Sequence, residues 1–345
     1  MHASLIVPAP FSTVSGGYGY DRRIVSGLRD LGHEVAVIEL PGTHPVTDAV
    51  ARDSACTVLD QLVAGGKTII DGLTLPAFAG LDDALASIGA IGLIHHPTSL
   101  ESGLDEAVQT ALREIEQRLF PRLRRIVVTS PLTADTLAKD FGVDAGRIAV
   151  VAPGTDDAPR AAGSGGPTCE ILSIGTLIPR KGHDLLLRSL GRLFDLDWRL
   201  TIVGSESADP VCANGLHALA DSLGLGSRVR FAGTLVGEAL EALWQSADIF
   251  ALATHYEGYG MVIAEALKRG LPVVVTKGGA AGDLLTPDGG LACPVGDRDQ
   301  LSKSLRRVIY GAELRRAIAD EAWKLGQMLP SWVDQAALFA RSLQS

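Results

Sequence analysis

Residues 249–276 read IFALATHYEGYGMVIAEALKRGLPVVVT, and this stretch decides the fold class. Its first five residues, Ile249 to Ala253, form a short apolar run of the kind a buried strand needs. A loop carrying Glu257, Gly258 and Gly260 follows. Glycines on either side of Tyr259 let the backbone turn tightly and come close to a ligand. A helix is predicted from about Met261 to Gly270, and Pro272 opens the next strand. Such a helix presents unpaired N–H groups and a positive dipole end, which suits a phosphate. Glu257 stands just before the helix and Glu265 about one turn into it. Two carboxylates so placed can hydrogen-bond two different polyols on one elongated ligand. A solvated surface helix behind a glycine-rich turn is the plainer reading of the same residues.

The pattern extends in both directions. Upstream, strands are predicted at Glu170–Ile174, Trp198–Val203, Val229–Ala232 and Ile249–Ala253, with helices at His183–Phe194, Gly215–Leu223 and Glu238–Ala247. The first half alternates in the same way. Strands are expected at Ser4–Val7, Glu34–Leu40, Thr68–Gly72, Ala90–His95, Arg125–Thr129 and Ile148–Ala152, and helices at Asp21–Leu31, Leu104–Phe120 and Leu132–Asp140. Strand–helix alternation means parallel strands joined by crossover helices. Asp157–Thr168, DAPRAAGSGGPT, is small, polar and rich in Gly and Pro, as a linker is. The expected architecture is α/β: two Rossmann-like, doubly wound domains, 1–160 and 161–327, facing across a cleft. Ligands of such sheets bind beyond the carboxyl ends of the strands.

Composition narrows the function. The 345 residues carry 31 Lys and Arg against 40 Asp and Glu, a formal charge of −9, which disfavours a nucleic-acid partner. Residues 1–160 hold 13 basic and 20 acidic side chains and residues 161–345 hold 18 and 20, so the second half is the better host for an anion. Cys56, Cys169, Cys212 and Cys293 show no metal or disulfide spacing and are expected to be reduced and mostly buried. The N-terminus has no leader-like pattern, and the charge-free run Ala84–Leu100 is broken by two His and a Pro. A cytoplasmic protein is expected.

The frame EGYGxxxxEAxxxGxPVV, with Glu257 and Glu265, resembles the signature of retaining GT-B glycosyltransferases, especially family 4. Gly175-Thr176-Leu177-Ile178-Pro179-Arg180-Lys181-Gly182 is similar to that family's strand-end loop carrying the basic diphosphate clamp. Leu200–Gly204 and Val229–Gly233 are similar to its next two strands, and Gly16-Gly17 and His95-His96-Pro97 to its N-terminal donor loop and active-site histidine. The resemblance implies that Glu265 binds ribose hydroxyls and Glu257 the transferred sugar. It places the backbone N–H groups of Gly258, Tyr259 and Gly260 at the sugar and those of Met261 and Val262 at the distal phosphate. Arg180 and Lys181 neutralise the departing diphosphate. One of His95 and His96 meets the sugar, with His96 preferred as the last residue of its strand. Two departures stand out: Thr176 occupies a position where many relatives have Arg, and Gly278–Asp283 offers an acid only at Asp283.

The activity so implied is a retaining, metal-independent transfer of a hexose from a UDP- or GDP-sugar to a hydroxyl acceptor, with no cofactor. Peripheral membrane contact follows if the acceptor is a lipid. A sugar-nucleotide epimerase and a non-catalytic partner subunit are the alternatives. Acceptor contacts are expected from Phe11–Tyr20 and Pro41–Thr47. A terminal helix over Ser331–Leu343, with apolar Val333, Ala337, Phe339 and Leu343, is expected to cross back so that about 328–345 joins the first domain. Asp195-Leu196-Asp197 precedes a strand and is not read as a metal site; Gly17-Tyr18-Gly19 lacks a third glycine, since position 22 is Arg22. The basic run Arg118–Arg125 is read as a helix end and strand start.

Overall fold

The computed structural model describes residues 1–62 and 65–344; position 345, the last of the expected returning segment, lies outside the described residues. The chain divides into two compact units, Met1–Gly154 with Pro330–Ser345, and Thr155–Leu329. Along the first segment run β1 (His2–Pro8), α1 (Gly16–Asp30), β2 (Glu34–Leu40), α2 (Ala49–Gln61), β3 (Lys67–Asp71), α3 (Asp82–Ser87), β4 (Ile91–Ile94), α4 (Glu106–Leu119), β5 (Arg125–Val128), α5 (Pro131–Asp140) and β6 (Ile148–Val150). The second unit contains β7 (Cys169–Ile174), α6 (His183–Leu190), β8 (Trp198–Val203), α7 (Pro210–Ser222), β9 (Val229–Phe231), α8 (Gly237–Ser246), β10 (Ile249–Leu252), α9 (Met261–Lys268), β11 (Val273–Thr276), β12 (Gly290–Cys293), α10 (Arg298–Tyr310) and α11 (Ala312–Gln327). Helix α12 (Trp332–Ser342) returns to the first unit.

Each unit is built on a six-stranded parallel sheet. The first sheet has the order β2-β1-β3-β4-β5-β6 and the second β12-β11-β10-β7-β8-β9. Strand order reverses between β1 and β3 in the first and between β7 and β10 in the second. The crevice beyond the carboxyl ends of the strands at such a reversal is where open α/β sheets take ligands.

The second sheet is buried on both faces, which explains its unbroken apolar runs. Successive side chains enter opposite layers. Ile249 and Ala251 of β10 pack with Leu186, Leu190 and Trp198 on one side. Phe250 and Leu252 pack with Trp244, Ile263 and Leu267 on the other. Each such burial of an Ile, Leu or Phe contributes about 1.5–3 kcal/mol.

In the first unit, α12 lies against α1: a Cβ on Gly27 would come within 2.4 Å of the Ala336 Cβ. Trp332 meets the Tyr20 ring edge-on at 5.8 Å. The buried face of α12 is Gln335, Ala336, Phe339, Ala340 and Ser342. Expected core residue Val333 is instead 71% exposed. Phe339 and Leu343 are buried as expected, at 1% and 2% exposure.

Several elements differ from expectation. Helix α1 starts at Gly16 rather than Asp21, so Gly16 and Gly17 form its first turn and are not loop. Helix α7 starts at Pro210, where Asp209 accepts from Cys212 N and Pro occupies the first turn. Helix α2, capped by Asp48, and the run β12, α10 and α11 went unread. Cys56 is exposed and Cys212 half-buried, so only Cys169 and Cys293 fit the expected burial; all four thiols are free. Asp195 forms a bidentate pair with Arg306 at 2.7 and 2.8 Å, which accounts for that acid without a metal. In the basic run, Arg118 pairs with Asp82 at 2.9 Å and residues 120–122 form a single 3-10 turn before β5.

Candidate functional site

In the second unit, the loops after β7 and β10 meet at the strand-order reversal. After β7 the chain makes a 3-10 turn, Pro179–Lys181, and enters α6 through Gly182. Gly182 has φ +62°, and a Cβ there would sit 2.0 Å from Ala253 O. Only glycine permits that closure, which holds the turn against the end of β10. Lys181 Nζ then donates to Glu257 Oε1 at 2.7 Å. Arg180 Nη1 donates to Tyr256 O at 2.8 Å and stands 3.6 Å from Glu257 Oε2. Thr254 Oγ1 lies 3.0 Å from Glu257 Oε1.

Glu257 is 7% exposed. Its backbone is fixed by the loop after β11: Glu257 N donates to Gly278 O at 3.0 Å and Ala280 N donates to Glu257 O at 2.8 Å. Gly279, with φ +60°, makes the same approach; a Cβ there would lie 2.3 Å from Glu257 O. Burial pushes the Glu257 carboxyl up, but Lys181 and Arg180 outweigh it and hold the group below the usual glutamate range. Two mostly buried cations thus face the Glu257 carboxylate.

Gly258 and Tyr259 continue the loop, and Gly260, with φ +98°, caps α9. Burial raises the Tyr259 hydroxyl to about 12, so it stays protonated. Met261 and Val262 form the first turn of α9, and Glu265 lies one turn along it, half-buried. Neither Glu257 nor Glu265 is a fully solvated side chain, as the plainer reading would require. His183, at the start of α6, is buried with Nε2 3.1 Å from Gly175 O. Burial brings its pKa down to about 4, so the ring is neutral.

In the first unit the corresponding reversal brings together α1, the end of β3 and the segment after β4. Gly17 packs on His95: a Cβ on Gly17 would stand 3.4 Å from the ring. His95 Nε2 lies 3.1 Å from Asp21 Oδ1 and 3.6 Å from Asp71 Oδ2. Asp21 and Asp71 are 1% and 2% exposed. Asp71 also accepts from Leu73 N at 2.7 Å. The donor atoms of the three side chains lie within 4.8 Å of one another, a spacing a cation can use and mutual hydrogen bonding can also satisfy. His96 faces differently: its Nε2 is 3.0 Å from Glu101. His95, not the preferred His96, is the histidine beside Gly17.

Sequence reasoning missed Asp21, Asp71, Thr254 and Glu116. Asp21 shares the 21, 24, 25, 28 stripe with Ile24, Val25 and Leu28, and a charged residue on an apolar stripe was the available signal. Asp71 ends a buried strand, another such signal. Glu116 of α4 is 2% exposed and clamps the turn after His96. Thr98 N and Oγ1 donate to its Oε1 at 2.5 and 2.8 Å, and Ser99 N and Oγ to its Oε2 at 3.3 and 2.5 Å. Nothing in the spacing of residues 98 and 116 announces that clamp.

Comparisons with known proteins bear on this arrangement. The family model described as "Glycosyl transferases group 1" matches residues 156–325 and that described as "Glycosyltransferase Family 4" matches residues 68–158. The chain is 31% identical over 190 residues to a D-inositol 3-phosphate glycosyltransferase of Rhodococcus opacus, covering 50% of this chain and 43% of that protein. It is 26% identical over 263 residues to an MMP alpha-(1->4)-mannosyltransferase of Mycolicibacterium hassiacum, covering 72% and 63%. The chain thus spans about half the length of the curated relatives it matches. Among solved structures, a sucrose-phosphate synthase from Thermosynechococcus elongatus matches with a TM-score of 0.85 at 18% identity, covering 99% of this chain and 98% of that one. The Anabaena protein HepE, solved in complex with UDP-glucose, matches with a TM-score of 0.77 at 18% identity, covering 100% and 99%. No helix among the described residues is long and apolar enough to cross a membrane. With two parallel-sheet units, a basic pair and a glutamate at one strand-order reversal, and two family models spanning residues 68–325 between them, the chain belongs to the GT-B glycosyltransferases of the family 4 type.

Proposed function

We propose that the protein transfers a hexose from a nucleoside-diphosphate sugar to a hydroxyl acceptor, with retention of anomeric configuration and without a metal ion. The observation that carries this reading is the cluster of Lys181, Arg180 and Glu257 at the strand-order reversal of the second unit. The presence of UDP, and of UDP-glucose, in structures of the similar HepE supports a nucleotide-sugar donor.

The chemistry follows from charge. When the bond between the anomeric carbon and the diphosphate oxygen breaks, its electron pair stays on the diphosphate. Fixed cations at that point are worth more in the transition state than in the ground state, which lowers the barrier. The acceptor oxygen bonds to the anomeric carbon, and its proton passes to the departing diphosphate oxygen. Glu257 takes hydroxyls of the transferred sugar and balances the two cations until the donor arrives. Glu265, one turn along α9, takes the ribose hydroxyls, and the N–H groups of residues 258–262 take the sugar and distal phosphate. The first unit is the acceptor side and the second the donor side.

The test is turnover of UDP- and GDP-sugars with hydroxyl acceptors in EDTA, following the anomeric configuration of the product by NMR. Activity in EDTA with retention, lost in Glu257→Gln, is expected. Full activity in that variant, or an inverted product, contradicts the proposal.

A further inference from the structure

The reading of the donor side leaves a second charged cluster unused: Asp21, Asp71 and His95 at the strand-order reversal of the first unit. Two carboxylates, each almost wholly buried, face one imidazole. Burying a carboxylate without a partner is costly, so a pair of them implies cations or shared protons around them. The titratable groups about the ring are few. Asp21 and Tyr20 come from α1 and Asp71 from the end of β3. Tyr20 meets the His95 ring edge-on at 5.2 Å and donates its hydroxyl to Val151 O at 2.9 Å. From β5's end, Thr129 Oγ1 donates to the His95 carbonyl at 3.2 Å. Tyr18, on α1, is raised to about 12 by burial and then by Asp71 and Asp21, and stays neutral.

We propose that Asp21 and Asp71 are positioning residues for the transfer: together they grip His95 through Nε2, fix the ring, and leave its Nδ1 edge as the donor offered to a substrate hydroxyl. The geometry carries this. Nε2 is the atom both carboxylates face, Tyr20 and Gly17 fix the plane of the ring, and Nδ1 takes part in none of these bonds. A carboxylate on one ring nitrogen sets what the other nitrogen can do. The charges agree. Burial works against a charged ring, yet Asp21 and then Asp71 raise His95 above the ordinary histidine range. Burial, then the Asp21 charge, pushes Asp71 up to about 7, so near neutrality Asp71 is partly protonated.

The inference rests on the proposed function only for its last step, the substrate hydroxyl. It is tested on the full chain labelled with 15N-histidine, with the His95 signals assigned by their loss in His95→Gln. In the wild type the ring should stay protonated above pH 6.5, the ordinary value. In Asp21→Asn it should lose its proton below that pH, because burial then acts with less opposition. In kinetics, Asp21→Asn and Asp71→Asn should lower kcat about tenfold or more with KM changed about threefold or less. The basic limb of the pH–rate profile should move to lower pH in Asp21→Asn.

A His95 titration that is ordinary and unmoved by Asp21→Asn overturns the proposal. So does activity lost in EDTA and restored by Mn2+ together with stoichiometric broadening of the His95 signals, which would make the cluster a cation site. If the titration behaves as expected but no sugar nucleotide is turned over, the grip on His95 stands and the proposed function fails. Should Asp21→Asn not fold, the wild-type titration and the Asp71→Asn kinetics decide.

Discussion

Replacing Glu257 by Gln should destabilise the second unit more than replacing Lys181 by Met, because the carboxylate meets two cations and the lysine meets that one carboxylate among the contacts described. The Lys181, Arg180 and Glu257 side chains are 13%, 13% and 9% exposed. Glu257→Gln takes the carboxylate charge away from both cations at once. Removing one partner of a buried pair costs about 3–5 kcal/mol, and the slight exposure here puts the expected loss near about 3 kcal/mol. Lys181→Met leaves Glu257 facing Arg180 at 3.6 Å. Its cost should be about 1 kcal/mol. In the double variant only Arg180 remains charged, and the loss should be about 2 kcal/mol, less than the sum of the singles by a coupling within the usual range of about 0.5–3 kcal/mol. For a unit of this size, about 3 kcal/mol lowers the midpoint by about 6–12 °C. Urea unfolding followed by fluorescence of Trp198 and Trp244, both in the second unit's core, reads the three variants. Because the Glu257 carboxyl is held below its ordinary value, its contribution is complete above about pH 4.5 and declines as pH falls through the folded value. Adding UDP should restore part of the loss in Glu257→Gln, since a diphosphate replaces the missing anion. Lys181→Met costing as much as Glu257→Gln, or strict additivity in the double variant, would refute this reading of the contacts.

His183 is held near pKa 4 in the folded chain and titrates at about 6.5 when unfolded, so its contribution is present above pH 6.5 and lost as pH falls toward 4. His183→Asn should flatten that acid limb of the stability curve, measured by urea midpoints from pH 4 to 7. Glu116→Gln should cost about 2–3 kcal/mol, because an amide cannot accept from both the Thr98 and Ser99 pairs; thermal unfolding of the first unit checks it. Gly182→Ala should cost about 2 kcal/mol or more, since the left-handed backbone and the close approach to Ala253 O act together. Gly233→Ala, with φ +64° and open space around it, should cost only about 1 kcal/mol, and equal losses would dismiss the clash.

Much of the second unit could be read from its residues because each signal there is local. The apolar strand Ile249–Leu252, the glycines at 258 and 260 and the stop at Gly270 all lie within one short stretch. The same holds for Arg180 and Lys181, whose turn is set by Pro179 and Gly182. What escaped was pairing over distance. The 257–181 contact joins residues 76 apart, and the His95–Asp21 contact joins residues 74 apart. No periodicity encodes such meetings; strand order does. Position in the strand likewise does not say which of His95 and His96 lies beside Gly17. His95 is selected by Gly17 and Asp21 of α1 and Asp71 of β3, elements that only the parallel sheet brings beside it. The start of α1 was read late because two glycines suggest loop, whereas the first turn of a helix tolerates them where a neighbouring ring needs room.

The most direct test of the account is the affinity of the unmodified chain and of Lys181→Met for UDP and GDP, by calorimetry in EDTA. The cationic cluster predicts that at least one diphosphate binds without metal, and that the variant binds it at least about tenfold more weakly, the equivalent of about 1.4 kcal/mol. Equal affinity in the two proteins, or binding that appears only when a divalent cation is added, would contradict it.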